Sequence, residues 1–131
     1  MQIAKSTVTE KWGSALDAGY VVVPNVLLLK QHDLGLSDSE VLVLLHVFMA
    51  WREKDKLPFP SPATLAKRIG VNPRTVQRHL AAIADKGLMV RIKDGEDGIR
   101  KYDPTALVTK LKALAPHLAM HKHPVEDAAR I

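Results

Sequence analysis

Residues 61–91 read SPATLAKRIGVNPRTVQRHLAAIADKGLMVR, and this stretch decides the fold. Ser61 is placed to cap a helix that Pro62 begins, at the one position where a missing N–H costs nothing. Leu65, Ala66 and Ile69 fall on one face of that helix. Gly70-Val71-Asn72 reads as a tight turn, with Gly70 supplying left-handed backbone. Asn72 caps a second helix, Pro73 starts it and Gly87 ends it. Two short helices at this spacing predict a helix-turn-helix, whose second helix enters the major groove of DNA.

The second helix carries the candidate chemistry. At about 100° per residue, Val76, Leu80 and Ile83 point into a core, and Arg74 and Arg78 lie nearly opposite, one turn apart. Thr75 and Gln77 flank the arginines, and Ala81 and Ala82 leave room for close approach. Arginine can donate two parallel bonds to guanine, and glutamine can do the same to adenine. Ser61 and Thr64, at the start of the preceding helix, are placed to meet phosphate. A solvated basic face on an ordinary surface helix is the competing reading; the turn, both caps and the following strands favour DNA.

Those strands are Leu88–Lys93 and Ile99–Tyr102, joined by the turn Asp94-Gly95-Glu96-Asp97-Gly98. A hairpin directly after a recognition helix is a wing. Its acidic tip would repel phosphate, so Lys93, Arg100 and Lys101 at its base are the candidate contacts. The charge distribution agrees. The chain has 131 residues and a net charge of +5. Residues 61–101 hold nine Lys and Arg against four Asp and Glu, so the rest of the chain is neutral and the excess lies on this segment. A basic patch of this kind is the footprint of a polyanion partner. Together these residues give Ser61, Thr64, Lys67, Asn72, Arg74, Thr75, Gln77, Arg78, Lys93, Arg100 and Lys101 as the expected DNA-binding set.

The length suits one domain with a real core. With no cysteine, a disulfide framework and cysteine-based zinc sites are excluded. The N-terminus, MQIAKSTVTEK, lacks the apolar core of a signal peptide. The longest uncharged apolar run, Val41–Trp51, would rise only about 16 Å as a helix, too short to span a bilayer. A cytoplasmic protein with no membrane partner is the expectation.

Outside the basic segment, residues 1–19 are weakly patterned and read as a flexible arm. Tyr20–Val23 is a short strand candidate, and Val26–Gln31 a turn or two of helix. Ser37-Asp38-Ser39-Glu40 is a capping box, opening a helix that runs to about Trp51. Its interior, VLVLLHVFMAW, is apolar all round and so calls for burial on every side: the helix-turn-helix can cover one face, and the 20–31 segment, the C-terminal helix or a second subunit the other, with His46 a satisfied core residue. Leu57-Pro58-Phe59-Pro60 is an extended connector, from which Phe59 should plug the core. Asp103-Pro104 starts a last helix with the stripe Leu107, Val108, Leu111 and Leu114, stopped by Pro116. The domain is expected over 20–115, with dimerisation elements flanking the helix-turn-helix, and 116–131 as a partly disordered tail.

This order of elements resembles the winged-helix domain of DnaD-like replication proteins and related helix-turn-helix regulators of plasmids and phages. The resemblance is carried by VVVPNVLL (21–28), LGLSDSEVLVLLH (34–46), FPSPATLAKRIGVNPRTVQRHL (59–80), DKGLM (85–89) and KYDPTALVTKL (101–111). It implies a mainly α fold with a small β-wing, DNA binding, a role in replication or transcription of a mobile element, and self-association through the N-terminal segment and terminal helix. DnaD-like proteins carry a second, C-terminal domain, whereas only about fifteen residues follow Pro116 here; the expectation is a stand-alone regulator or the first part of a longer protein.

Other classes fare worse. There is no cysteine nucleophile, Gly-x-Ser-x-Gly elbow or phosphate-cradling glycine loop, so neither an enzyme nor a small-molecule substrate is expected. His117, His121 and His123 include an i, i+4 pair, but no metal-ligand motif surrounds them, and Asp94, Glu96 and Asp97 do not match a calcium loop; no metal or cofactor is expected. A winged helix serving only protein interaction would not need charge concentrated on its recognition face.

Overall fold

The computed structural model describes residues 5–93 and 100–118. The acidic wing tip and the tail bearing His121 and His123 lie outside the described residues. The described elements are α1 (Lys5–Trp12), a 3₁₀ segment (Gly13–Ala18), α2 (Asn25–Leu29), α3 (Asp38–Ala50), α4 (Pro62–Ile69), α5 (Pro73–Asp85), β1 (Val90–Lys93), β2 (Arg100–Asp103) and α6 (Thr105–Leu118). The fold is mainly α with a two-stranded antiparallel ribbon, a winged helix-turn-helix.

Helix ends follow the side chains that can satisfy free backbone groups. Ser37 Oγ accepts from Glu40 N–H and Glu40 Oε1 accepts from Ser37 N–H at 2.8 Å, completing the box that opens α3. Ser61 Oγ accepts from Thr64 N–H to open α4, and Asn72 Oδ1 accepts from Arg74 N–H at 2.8 Å to open α5. Gly70 stands at φ 85°, and the N–H groups of Gly70 and Val71 both donate to Ala66 O, closing α4 before the turn. After α5, Gly87 at φ 74° turns the chain so that Leu88 N–H donates to Ile83 O. That reversal carries Leu88 and Met89 into the core.

One core unites the elements from α2 to α6. Leu27 of α2, Val43, Leu44 and Val47 of α3, Leu65 of α4, and Val76, Leu80 and Ile83 of α5 are fully buried, with Leu107 of α6. α4 and α3 pack on α5, and α2 packs on α6. Burying such side chains at about 1.5–3 kcal/mol each is what holds short helices that would be marginal alone.

Several expectations are corrected. Phe59 does not plug the core: it is exposed, and its neighbour Pro58 is buried instead, its carbonyl accepting from Tyr102 N–H at 2.9 Å. That bond fixes the connector alongside β2, with Pro58 turned inward. Tyr20–Val23 is no strand, because no strand among the described residues pairs with it. Within one chain α3 leaves Leu42 and Met49 exposed, so the cover expected on that side is not supplied by the helices of the same chain. Pro116 does not stop α6, which continues to Leu118. Within the segment read as an arm, residues 5–18 form a helix and a 3₁₀ segment that pack on each other. His46 is half-buried, and its Nδ1, fully enclosed, has no hydrogen-bond partner among the described residues. Burial, and next to it the Arg68 charge, hold its pKa below the ordinary range, favouring the neutral ring. No helix among the described residues is long and apolar enough to cross a membrane.

Candidate nucleic-acid interface

The outer side of α5 is built by exclusion. Val76, Leu80 and Ile83 are anchored in the core, so positions on the other side of the helix face out. Arg74, Gln77 and Arg78 are exposed, and Thr75 is half-buried. Arg78 Nη2 donates to Thr75 Oγ1 at 3.3 Å. This bond draws the guanidinium back along its helix toward the N-terminal turn, the direction helical side chains favour. Neither Arg74 nor Arg78 has a carboxylate partner among the described residues. Both keep donors for an acceptor outside the chain.

Ser61 and Thr64 are exposed at the start of α4, but Ser61 Oγ already accepts from Thr64 N–H, leaving the two hydroxyl hydrogens to meet an anion. Lys67 is exposed toward the end of α4. Asn72 caps α5 through Oδ1 and is otherwise exposed.

The ribbon sorts its charges by register. Arg91 pairs with Tyr102, Ile92 with Lys101 and Lys93 with Arg100. Opposed residues share a face and neighbours alternate. Arg91, Lys93 and Arg100 therefore lie on one face with Tyr102, while Lys101 lies on the other with Ile92. Of the three wing-base residues picked from sequence, the structure brings together Lys93 and Arg100 and sets Lys101 apart.

Between α5 and this face lies a cleft of about 350 Å³. Leu80 and Tyr102, both buried, form its floor with Pro62 at one end. Gln77 lines it from α5, and Arg91, Lys93 and Arg100 from the ribbon. Burial raises the Tyr102 pKa, a shift that the Arg100 and Arg91 charges oppose. Arg91 was absent from the sequence-derived set. Its signal was present in the spacing, two residues from Lys93 and so on the same face of any strand, but it needed the register to be read.

One cation in the basic segment is held in an ion pair. Lys86, just past α5, donates to Glu40 Oε1 at 2.5 Å. Glu40 is only 5% exposed. Burial raises its pKa, but the bond from Lys86, the Ser37 N–H and the Lys86 charge outweigh that and hold the carboxyl below its ordinary range. The pair ties the first turn of α3 to the end of α5.

No group of three metal-ligating side chains occurs among the described residues. The arrangement offers hydrogen-bond donors and positive charge on a projecting helix and ribbon, the equipment for reading a duplex.

Comparison with known proteins agrees with this geometry. The family described as a helix-turn-helix domain matches residues 34–89, from the capping box of α3 through the end of α5. No curated protein matches the chain. The crystal structure of the N-terminal domain of DnaD protein from Geobacillus kaustophilus HTA426 is similar at 30% identity and a TM-score of 0.59, over 90% of this chain and 96% of that one. At that identity and coverage, the chain belongs to the DnaD-like family of winged helix-turn-helix domains.

Proposed function

We propose that this protein is a homodimer that reads double-stranded DNA sequence-specifically and regulates transcription on a plasmid, phage or other mobile element. The observation that carries the DNA reading is the pair Arg74 and Arg78. They are exposed one turn apart on the outer side of a helix whose inner side is buried. The basic cleft beside them supports it. In this reading Arg78, one turn inside the helix, meets base edges, and Arg74 meets either bases or phosphate. Ser61, Thr64, Lys67, Lys93 and Arg100 supply sequence-independent contacts. No catalysis and no small-molecule substrate enter this reading.

Dimerisation is supported by apolar side chains that the single chain leaves uncovered: Leu28 and Leu29 on α2, Leu42 and Met49 on α3. A two-fold dimer is the commonest arrangement. It would set the recognition helices roughly 34 Å apart, one duplex turn.

The similarity to the DnaD N-terminal domain favours a second reading, a role in DNA replication with the same surface. Mapping bound sites separates the two. Sites over the protein's own promoter fit regulation; repeated sites at an origin fit replication. The test of the shared reading is duplex binding across a salt series. With about four to six phosphates neutralised per subunit, the log–log slope should be about −4 to −5. A flat response would refute it.

A further inference from the structure

The cleft between α5 and the ribbon has a property that a merely structural ribbon would not keep. Lys93 and Arg100 stand directly opposite each other across the two strands. Like charges at opposed positions repel and weaken a ribbon. Arg91 adds a third positive charge on the same face. Among the described residues, none of the three has a carboxylate partner and no carboxylate lines the cleft. An anion seated between them would relieve the repulsion.

The cleft has the features such an anion needs. Its floor is closed by Leu80 and Tyr102, exposed only 1% and 2%, so a charge-assisted bond formed there is less screened than one at an open surface. Gln77 faces the cations from α5, and its amide adds a neutral donor. At about 350 Å³ the space falls at the small end of ligand sites, about 300–1,000 Å³. A planar guanidinium such as that of Arg91 or Arg100 offers two parallel donors to phosphate oxygens.

We infer that this cleft is a discrete phosphate seat, held by Arg91, Arg100, Lys93 and the Gln77 amide. Gln77 then contributes affinity on every duplex and does not choose a base. The inference rests on the DNA-binding reading for the backbone as its phosphate source; the cleft chemistry itself would equally accept a free phosphoanion.

The experiment uses the full chain. Binding to matched and random duplexes is measured over a salt series for wild type, Arg91→Gln, Arg91→Lys and Gln77→Ala. Both positions are exposed, and thermal melts check that each variant folds. Arg91→Gln should weaken all duplexes about tenfold, as loss of one charge-assisted bond does. Its salt slope should become shallower by about one. Arg91→Lys should keep the wild-type slope. Gln77→Ala should weaken matched and random duplexes by the same factor. A wild-type slope in Arg91→Gln, or a changed ratio between duplexes in Gln77→Ala, overturns the inference while leaving DNA binding intact.

A second arm follows backbone amide signals by nuclear magnetic resonance with pyrophosphate as the probe. Shifts at Gln77, Arg91, Lys93 and Arg100 that disappear in Arg91→Gln support the seat and show that free phosphoanions enter it. Shifts at these residues with duplex alone support it with the DNA backbone as the sole source. No shift with either probe overturns it. If wild type binds no duplex, the DNA reading fails, and the pyrophosphate arm by itself decides the cleft.

Discussion

Removing the ammonium of Lys86 should cost more than removing the charge of its partner, although both break the same ion pair. Glu40 is buried and accepts from two donors, Ser37 N–H at 2.8 Å and Lys86 Nζ at 2.5 Å. In Lys86→Met the carboxylate stays in the core with one donor left. Stranding a fully buried charge costs about 3–5 kcal/mol. The Lys86 side chain is 32% exposed, so water reaches the site and the loss should be roughly 2–3 kcal/mol. In Glu40→Gln the amide oxygen still accepts from Ser37, and Lys86 turns into solvent. That loss should be about 1 kcal/mol, one ordinary hydrogen bond. For a chain of this size each kcal/mol lowers Tm by roughly 3–5 °C, so melts separate the two variants.

Acidity gives the argument its second reading. In wild type the folded Glu40 pKa lies below its ordinary value. Between the folded and unfolded values the unfolded chain therefore binds the extra proton. The pair's contribution is fully present above the unfolded pKa and is lost as pH falls through the folded one. Without Lys86 its bond and charge no longer oppose burial, so the folded pKa rises relative to wild type. The Lys86→Met penalty should then shrink as pH falls through the carboxylate range. Melts of wild type and both variants across that range are the assay. An equal or larger loss in Glu40→Gln, or a Lys86→Met penalty independent of pH, would refute the reasoning.

Three further outcomes follow from the interface and its supports. Arg78→Ala should cost roughly 1–3 kcal/mol on the specific site and relax preference at one base pair, measured against a random duplex at matched salt; equal losses on both would make Arg78 a phosphate contact. Asn72→Ala removes the acceptor for Arg74 N–H and should destabilise by about 0.5–2 kcal/mol in denaturant titrations, with Asn72→Asp retaining most of the stability. Gly70→Ala meets no neighbouring atom but must hold φ 85°, so it should cost about 1–2 kcal/mol through backbone strain alone; no loss of stability would mean that the turn relaxes.

The helix-turn-helix was legible in the sequence because its signals are local. Caps at Ser37, Ser61 and Asn72, prolines at the first positions of α4 and α5, and Gly70 in the turn each act within four residues of themselves. The buried stripe Val76, Leu80 and Ile83 follows from helical periodicity alone. What depended on distant partners was not legible. Phe59 and Pro58 are neighbours with opposite fates, decided by the bond from Tyr102 N–H to Pro58 O across more than forty positions. Tyr20–Val23 has strand composition, but a strand exists only where another supplies its ladder. α3 is apolar all round, yet only the packing shows which of its residues the single chain leaves bare. The candidate site divides in the same way. Sequence placed Arg74 and Arg78 on the outer face of α5, since 3.6-residue geometry needs no tertiary information. It counted Lys86, Arg91 and Lys101 as positive charges, chose Lys101 as a contact and passed over Arg91, because charge alone gives no direction. The fold pairs Lys86 with Glu40, turns Arg91 into the cleft and sets Lys101 on the opposite face. A charge is a property of a residue, whereas its direction depends on strand register and on which helix end it meets, and only the folded chain fixes those.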